Sequence, residues 1–163
     1  MENKVVKLTL AFRKQVEKKT SILNKLIMWF TKSKYYHVEL IVNDTWISSS
    51  YTRGGFSARP LKPINEQTDT KYDYYHFEPF TMSIKQFHTV MSFVDSQEGS
   101  KYDVQGILFA QLFPLRFDSR NKWFCSEVCT KLLQLFLIPE VIDKQPSSMS
   151  PGDLSRLFGM EKK

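Results

Sequence analysis

The sequence predicts a single domain of the α+β class, and three observations carry that reading. Apolar residues alternate with polar ones through the first half, as in strands with one buried face. From Ser83 onward they recur every three or four residues, as on helices. A length of 163 residues suits one hydrophobic core that folds without staples.

Val5 to Phe12 reads as the first strand, and the charged stretch Arg13 to Thr20 as an exposed connection. Ser21 to Phe30 follows as a short amphipathic helix. His37 to Val42 is the next strand, Asn43-Asp44 makes a hairpin turn, and Thr45 to Tyr51 returns as its partner. Gly54-Gly55 marks a turn or bulge before a strand over Phe56 to Leu61, which Pro60 and Pro63 end. Tyr72 to Phe77 is rich in aromatics and reads as another strand.

Ser83-x-x-Gln86 is a capping box, and the helix behind it carries Ile84, Phe87, Val90, Met91 and Val94 at helical spacing until Gly99 stops it. Tyr102 to Leu112 is predicted as a second helix in this half, with Pro114 in the connection, and Cys125 to Leu137 as a third. Ser150-Pro151-Gly152-Asp153-Leu154 opens a last short helix through a proline turn. There is no internal repeat and no low-complexity segment.

Composition narrows the function classes. Hydrophobic residues make up 42% and aromatics 14%, too much apolar surface for a disordered chain. No signal peptide and no stretch long enough to cross a bilayer is present, so the expected location is cytoplasmic or virus- or phage-associated. The two cysteines stand four apart in a helical run, which argues against a disulfide and for a reducing compartment. The net charge of +6 is uneven, with seven basic residues against the single acid Glu17 between Arg13 and Lys34. That segment is a candidate contact for an anionic membrane, a nucleic acid or an acidic substrate, or simply a solvated face.

Cys125 is the leading candidate for chemistry. In Lys-Trp-Phe-Cys-Ser-Glu-Val-Cys (122–129), aromatic residues give way to the first turn of a helix, where free N–H groups and the dipole favour a thiolate and can hold an oxyanion. A base is available in Tyr35-Tyr36-His37-Val38-Glu39, where strand alternation puts His37 and Glu39 on one face. The three residues make a Cys/His/Glu set in which the carboxylate fixes the imidazole tautomer. Tyr36 and Tyr102 are candidate oxyanion or substrate contacts, with core packing as the alternative.

Competing readings attach to the same residues. Cys125 fits a buried helical cysteine, and Cys129, one turn on, reads as core packing. A zinc site from Cys125, Cys129 and His37 lacks a second closely spaced ligand pair, while His76 and His88 fall in unrelated segments, so neither metal nor organic cofactor is expected. The stripe Ile22, Leu23, Leu26, Ile27, Trp29 and Phe30 among lysines suits either a helix covering the sheet or a membrane surface.

Taken in order, His37-Val38-Glu39-Leu40, Ser49-Ser50-Tyr51-x-x-Gly54-Gly55-Phe56, Gly99-x-x-Tyr102-Asp103, Trp123-Phe124-Cys125-Ser126-Glu127-Val128 and Ser150-Pro151-x-Asp153-Leu154 form a set. This set resembles the circularly permuted NlpC/P60 proteins, papain-like folds of the YiiX/YebB and poxvirus-G6 kind, distantly akin to lecithin:retinol acyltransferase. The histidine precedes the cysteine, as permutation requires, and the likeness spans roughly Leu8 to Phe158. It implies a small antiparallel sheet curled toward a barrel and packed on the helix that carries the nucleophile. It further implies Cys125 as nucleophile, His37 as base and Glu39 as the orienting third member, a position that varies among relatives. Substrates in the family include peptidoglycan-type amides and lipid esters, so a peptide, peptidoglycan-like or lipid substrate is expected. The other class of reading is a non-catalytic module that binds an anionic membrane or nucleic acid through Arg13 to Lys34.

Overall fold

The computed structural model describes residues 2–16, 21–63, 65–66, 68–103 and 122–162. The fold is mixed α+β. Strands β1 (Asn3–Val6), β2 (Leu8–Lys14), β3 (Tyr35–Val42), β4 (Thr45–Ser50), β5 (Gly55–Pro60), β6 (Tyr72–His76), β7 (Phe80–Ser83), β8 (Lys101–Tyr102) and β9 (Lys122–Trp123) alternate with helices α1 (Ile22–Thr31), α2 (Ile84–Gln97), α3 (Cys125–Leu135) and α4 (Pro151–Leu157). The main sheet runs β6-β2-β3-β4-β5-β8-β9, antiparallel throughout except for the parallel β8–β9 pair.

Local signals placed most helix starts. Ser21 caps α1 by accepting from the Asn24 N–H, Ser83 caps α2 through the Gln86 N–H, and Ser150 forms a reciprocal box with Asp153 ahead of Pro151. The hairpin turn at Asn43-Asp44 joins β3 to β4, with Asn43 at φ +50°.

The first strand is the clearest departure from expectation. It breaks at Lys7 into β1 and β2, and β1 leaves the main sheet to pair with β7 in a separate two-stranded ribbon. Neither that break nor β7 is visible in periodicity, because each exists only through a partner some 80 residues away. Arg13 and Lys14 belong to β2 rather than to a loop. Tyr102 lies in β8, not at a helix start, and the rest of the expected helix to Leu112, with Pro114, lies outside the described residues.

The core forms where α3 and α4 pack on one face of the sheet. Val128, Leu132 and Leu133 of α3 meet Leu10 and Phe12 of β2 and Val38 and Leu40 of β3, all essentially without exposed surface. Each such side chain contributes about 2 kcal/mol of burial. Phe158, just after α4, closes one end against Tyr75 and Phe77 at ring separations of 5.0 and 5.1 Å. No helix among the described residues is long and apolar enough to cross a membrane.

One irregularity positions the site. The β3–β4 ladder runs from Val42↔Thr45 only to Leu40↔Ile47, and beyond it the two strands part. The start of α3 is held in that opening. Ser49 of β4 donates its hydroxyl to the Trp123 carbonyl at 2.7 Å, and the Cys129 thiol donates to the Val38 carbonyl of β3 at 3.7 Å.

Candidate active site

Cys125 is the first residue of α3, placed there by two aromatic residues that are themselves anchored. Trp123 pairs with Tyr102 in the β8–β9 ladder, and its indole N–H donates to Gln97 at 2.8 Å. Phe124 is buried against Ile27, and its N–H is met by the Glu127 carboxylate at 3.4 Å. The Cys125 sulfur has no exposed surface. It accepts hydrogen bonds from the Val38 and Ser126 N–H groups and from the His37 side chain.

His37 and Glu39 project from the face of β3 opposite Val38 and Leu40, as alternation requires. The backbone ladder to β4 has ended by this point, although Ser48 Oγ still lies 3.3 Å from His37 Nε2, and the imidazole hydrogen-bonds the Cys125 sulfur. His37 Nε2 lies 2.9 Å from Glu39 Oε1, which leaves Nδ1 for the sulfur. Glu39 is buried and fully engaged. Its Oε1 also accepts from Ser48 Oγ at 3.0 Å and Arg53 Nη1 at 3.2 Å, and its Oε2 from Arg59 Nη2 at 3.2 Å.

Charge follows from these contacts. Burial disfavours the His37 imidazolium, but the facing Cys125 sulfur and the Glu39 carboxylate outweigh it and raise the imidazole to about 9. Burial likewise opposes ionisation of Cys125, yet the His37 charge and hydrogen bond and the two backbone N–H groups carry its thiol below the ordinary value. For Glu39, His37 and the two arginines overcome burial and hold the carboxyl at about 2. Both shifts favour the thiolate–imidazolium form of the pair over the neutral one. Cys129, one turn along, is the reverse case: burial, with the Cys125 and Glu39 charges behind it, pushes its thiol well up, so it stays protonated.

Tyr102 is brought to the same sulfur. Burial and the Cys125 charge and hydrogen bond drive its hydroxyl well above the ordinary value, so it remains a donor. Its ring meets the exposed Tyr51 edge-on at 6.3 Å. Tyr36 packs in the cluster of Ile27, Phe124, Leu23 and Tyr102, with the Arg13 guanidinium 5.8 Å from its ring centre.

The structure thus gathers Cys125, His37, Glu39 and Tyr102, and adds Ser48, Arg53 and Arg59, which the sequence did not single out. Only the polar run Ser48-Ser49-Ser50, with its fully buried hydroxyls at 48 and 49, was a usable signal. His76 lies elsewhere, bonded to Glu66 and Thr9, and His88 stands edge-on to Phe87. Among the described residues no cluster of three His, Cys, Asp or Glu has metal-holding geometry, and the Cys129 thiol is spent on Val38. Both cysteines are free thiols.

In the segment Arg13 to Lys34, Lys14 and Lys34 share the single carboxylate of Asp73, which offsets one of their two charges. Lys25 and Lys32 remain exposed on or beside α1, and residues 17–20 lie outside the described set. A scan against protein-family models and a search of curated proteins each return no match for this chain.

Proposed function

We propose that this protein is a cysteine-dependent hydrolase or acyl-transfer enzyme that acts on an amide, peptide or peptidoglycan-like, or on an ester. A permuted papain-like arrangement is the fold reading that goes with it. It is supported by a histidine that precedes the cysteine, an antiparallel sheet, and a helix whose first residue is that cysteine. The observation that carries the function is the buried Cys125–His37 pair, thiol lowered and imidazole raised to about 9, with Glu39 on the far ring nitrogen at 2.9 Å.

In this reading the Cys125 thiolate attacks the substrate carbonyl carbon, and the electron pair moves to the carbonyl oxygen. The Tyr102 hydroxyl shifts its hydrogen bond from sulfur to that oxyanion, joined by the Cys125 N–H at the helix start. His37 passes its proton to the leaving amine or alkoxide as the bond to carbon breaks, which leaves a thioester. Water or an acceptor then attacks, giving its proton to His37, and the thiolate leaves to restore the ion pair. Glu39 keeps the ring in one orientation throughout. No step calls for a metal or an organic cofactor.

Incubation with a panel of peptide, muropeptide-like and ester substrates, followed by acid quench and mass spectrometry, tests this. An acyl adduct on Cys125, absent in His37→Ala, supports the reading and names the substrate class. No adduct with any substrate, in a protein that shows no thiolate at neutral pH, counts against it.

A second reading, a surface-binding module, is favoured by α1. Ile22, Leu26 and Trp29 lie at i, i+4 and i+7, with Ile22 78% and Trp29 70% exposed, while Leu23 and Ile27 face inward. With Lys25 and Lys32 beside it, this outer stripe suits an anionic lipid surface. Salt-sensitive sedimentation of a Cys125→Ser variant with phosphatidylglycerol vesicles, lost in Trp29→Ala, supports it; equal sedimentation of both variants opposes it.

A further inference from the structure

Around His37 and Glu39, hydrogen-bond donors outnumber the acceptors available to them. Arg13 stands directly across from His37 in the β2–β3 ladder, so the two side chains share one sheet face as neighbours. Its guanidinium lies 5.8 Å from the ring centre of Tyr36 and 5.7 Å from that of Tyr72. Among the described residues it has no carboxylate or hydrogen-bond partner.

The neighbours are of the same kind. Arg53, 38% exposed, and Arg59 each give Glu39 one contact. Arg59 Nη1 is left without a partner among the described residues, and its guanidinium sits 5.2 Å from the Trp46 ring centre. The Tyr72 hydroxyl also lacks a hydrogen-bond partner among the described residues, although Glu39, Arg13, Arg53 and Arg59 all lie close enough to act on it. Arg53 and Arg59 meet Glu39 directly, Arg13 and the Tyr72 hydroxyl lie in the same neighbourhood, and the two Glu39 oxygens already accept from His37, Ser48, Arg53 and Arg59. What remains unspent there is donor capacity, and its chemical complement is an oxyanion.

We propose that Arg13, Arg53 and Tyr72 form an anion-receiving subsite beside His37, which holds a carboxylate or phosphate group of the substrate or of the acyl acceptor. Its place in catalysis rests on Cys125 as nucleophile; the binding itself does not. A neutral substrate leaves the donors to water, whereas an anionic one is drawn in and oriented with its carbonyl toward the sulfur.

The full chain is alkylated at Cys125 with iodoacetate and, separately, iodoacetamide, at pH 6 and pH 9, with mass spectrometric readout. Two reagents of similar size and opposite demand on charge separate access from electrostatics. Arg13→Gln is expected to slow iodoacetate about fivefold while the iodoacetamide rate stays within twofold. Tyr72→Phe shifts the ratio the same way by less. An unchanged ratio in Arg13→Gln and in the double variant overturns the subsite. Slow iodoacetamide labelling at pH 6 instead counts against the nucleophile, and the ratio at pH 9 still decides the subsite. Protection against iodoacetate by inorganic phosphate or by malonate at fixed ionic strength, lost in Arg13→Gln, separates a phosphate-bearing from a carboxylate-bearing ligand. Protection that persists in Arg13→Gln overturns the assignment.

Discussion

His37 and Glu39, two residues apart on one strand, meet at 2.9 Å between Nε2 and Oε1, on a carboxylate that also takes Ser48, Arg53 and Arg59. The surplus of donors is what keeps a fully buried carboxylate ionised at about 2.

Stability in acid follows from that carboxylate. Its folded value of about 2 lies below the ordinary 4.5, so its contribution is complete above pH 4.5 and is lost as pH falls from there through 2. The amount is on the order of 3 kcal/mol. Urea unfolding at pH 6 and pH 2.5 should show Glu39→Gln less stable at pH 6, with the gap to the parent shrinking to about a quarter of that size at pH 2.5. An equal gap at both values contradicts this.

The pH profile of turnover should be bell-shaped. Its acid limb belongs to the Cys125 thiol, below the ordinary thiol range, and its alkaline limb to His37 near 9, because the leaving group needs the imidazolium proton. Alkylation needs only the thiolate and should rise to a plateau with no alkaline fall. A decline of both above pH 9 argues against His37 as the acid.

Tyr102→Phe keeps the ring against Tyr51 and removes the donor. It should lower kcat about 100-fold with little change in KM, while the iodoacetamide rate at Cys125 moves less than threefold, since alkylation builds no oxyanion. A parallel loss in both assays points to a packing role.

Gly55 holds β5 to the segment before Tyr102. At φ +144°, a Cβ there would lie 2.0 Å from the Ser100 carbonyl oxygen, whereas Gly54 has open space around it. Gly55→Ala should cost about 2–4 kcal/mol and displace Tyr102; Gly54→Ala, at φ +82°, should cost about 1 kcal/mol. Urea midpoints and near-UV circular dichroism read both effects.

What the sequence made legible was local. His37 and Glu39 share a face because strands alternate, Cys125 starts a helix because the apolar spacing changes there, and Ser21, Ser83 and Ser150 announce their helices by capping. What it hid depends on pairing at a distance. Ser48 and Arg59 reach Glu39 through the β3–β4–β5 meander, and Arg53 from the turn between β4 and β5. Tyr102 reaches Cys125 because β8 pairs with the residues just before it, and β7 exists only as the partner of β1. The parting of β3 from β4, which admits α3, has no signature in either strand.

The proposed chemistry needs Cys125 ionised and Cys129 not. Site-resolved iodoacetamide labelling at pH 6 measures that directly. Cys125 should react at least 100-fold faster than Cys129, and His37→Ala should abolish the preference. Equal, slow labelling of both thiols, or a preference that survives His37→Ala, would contradict it.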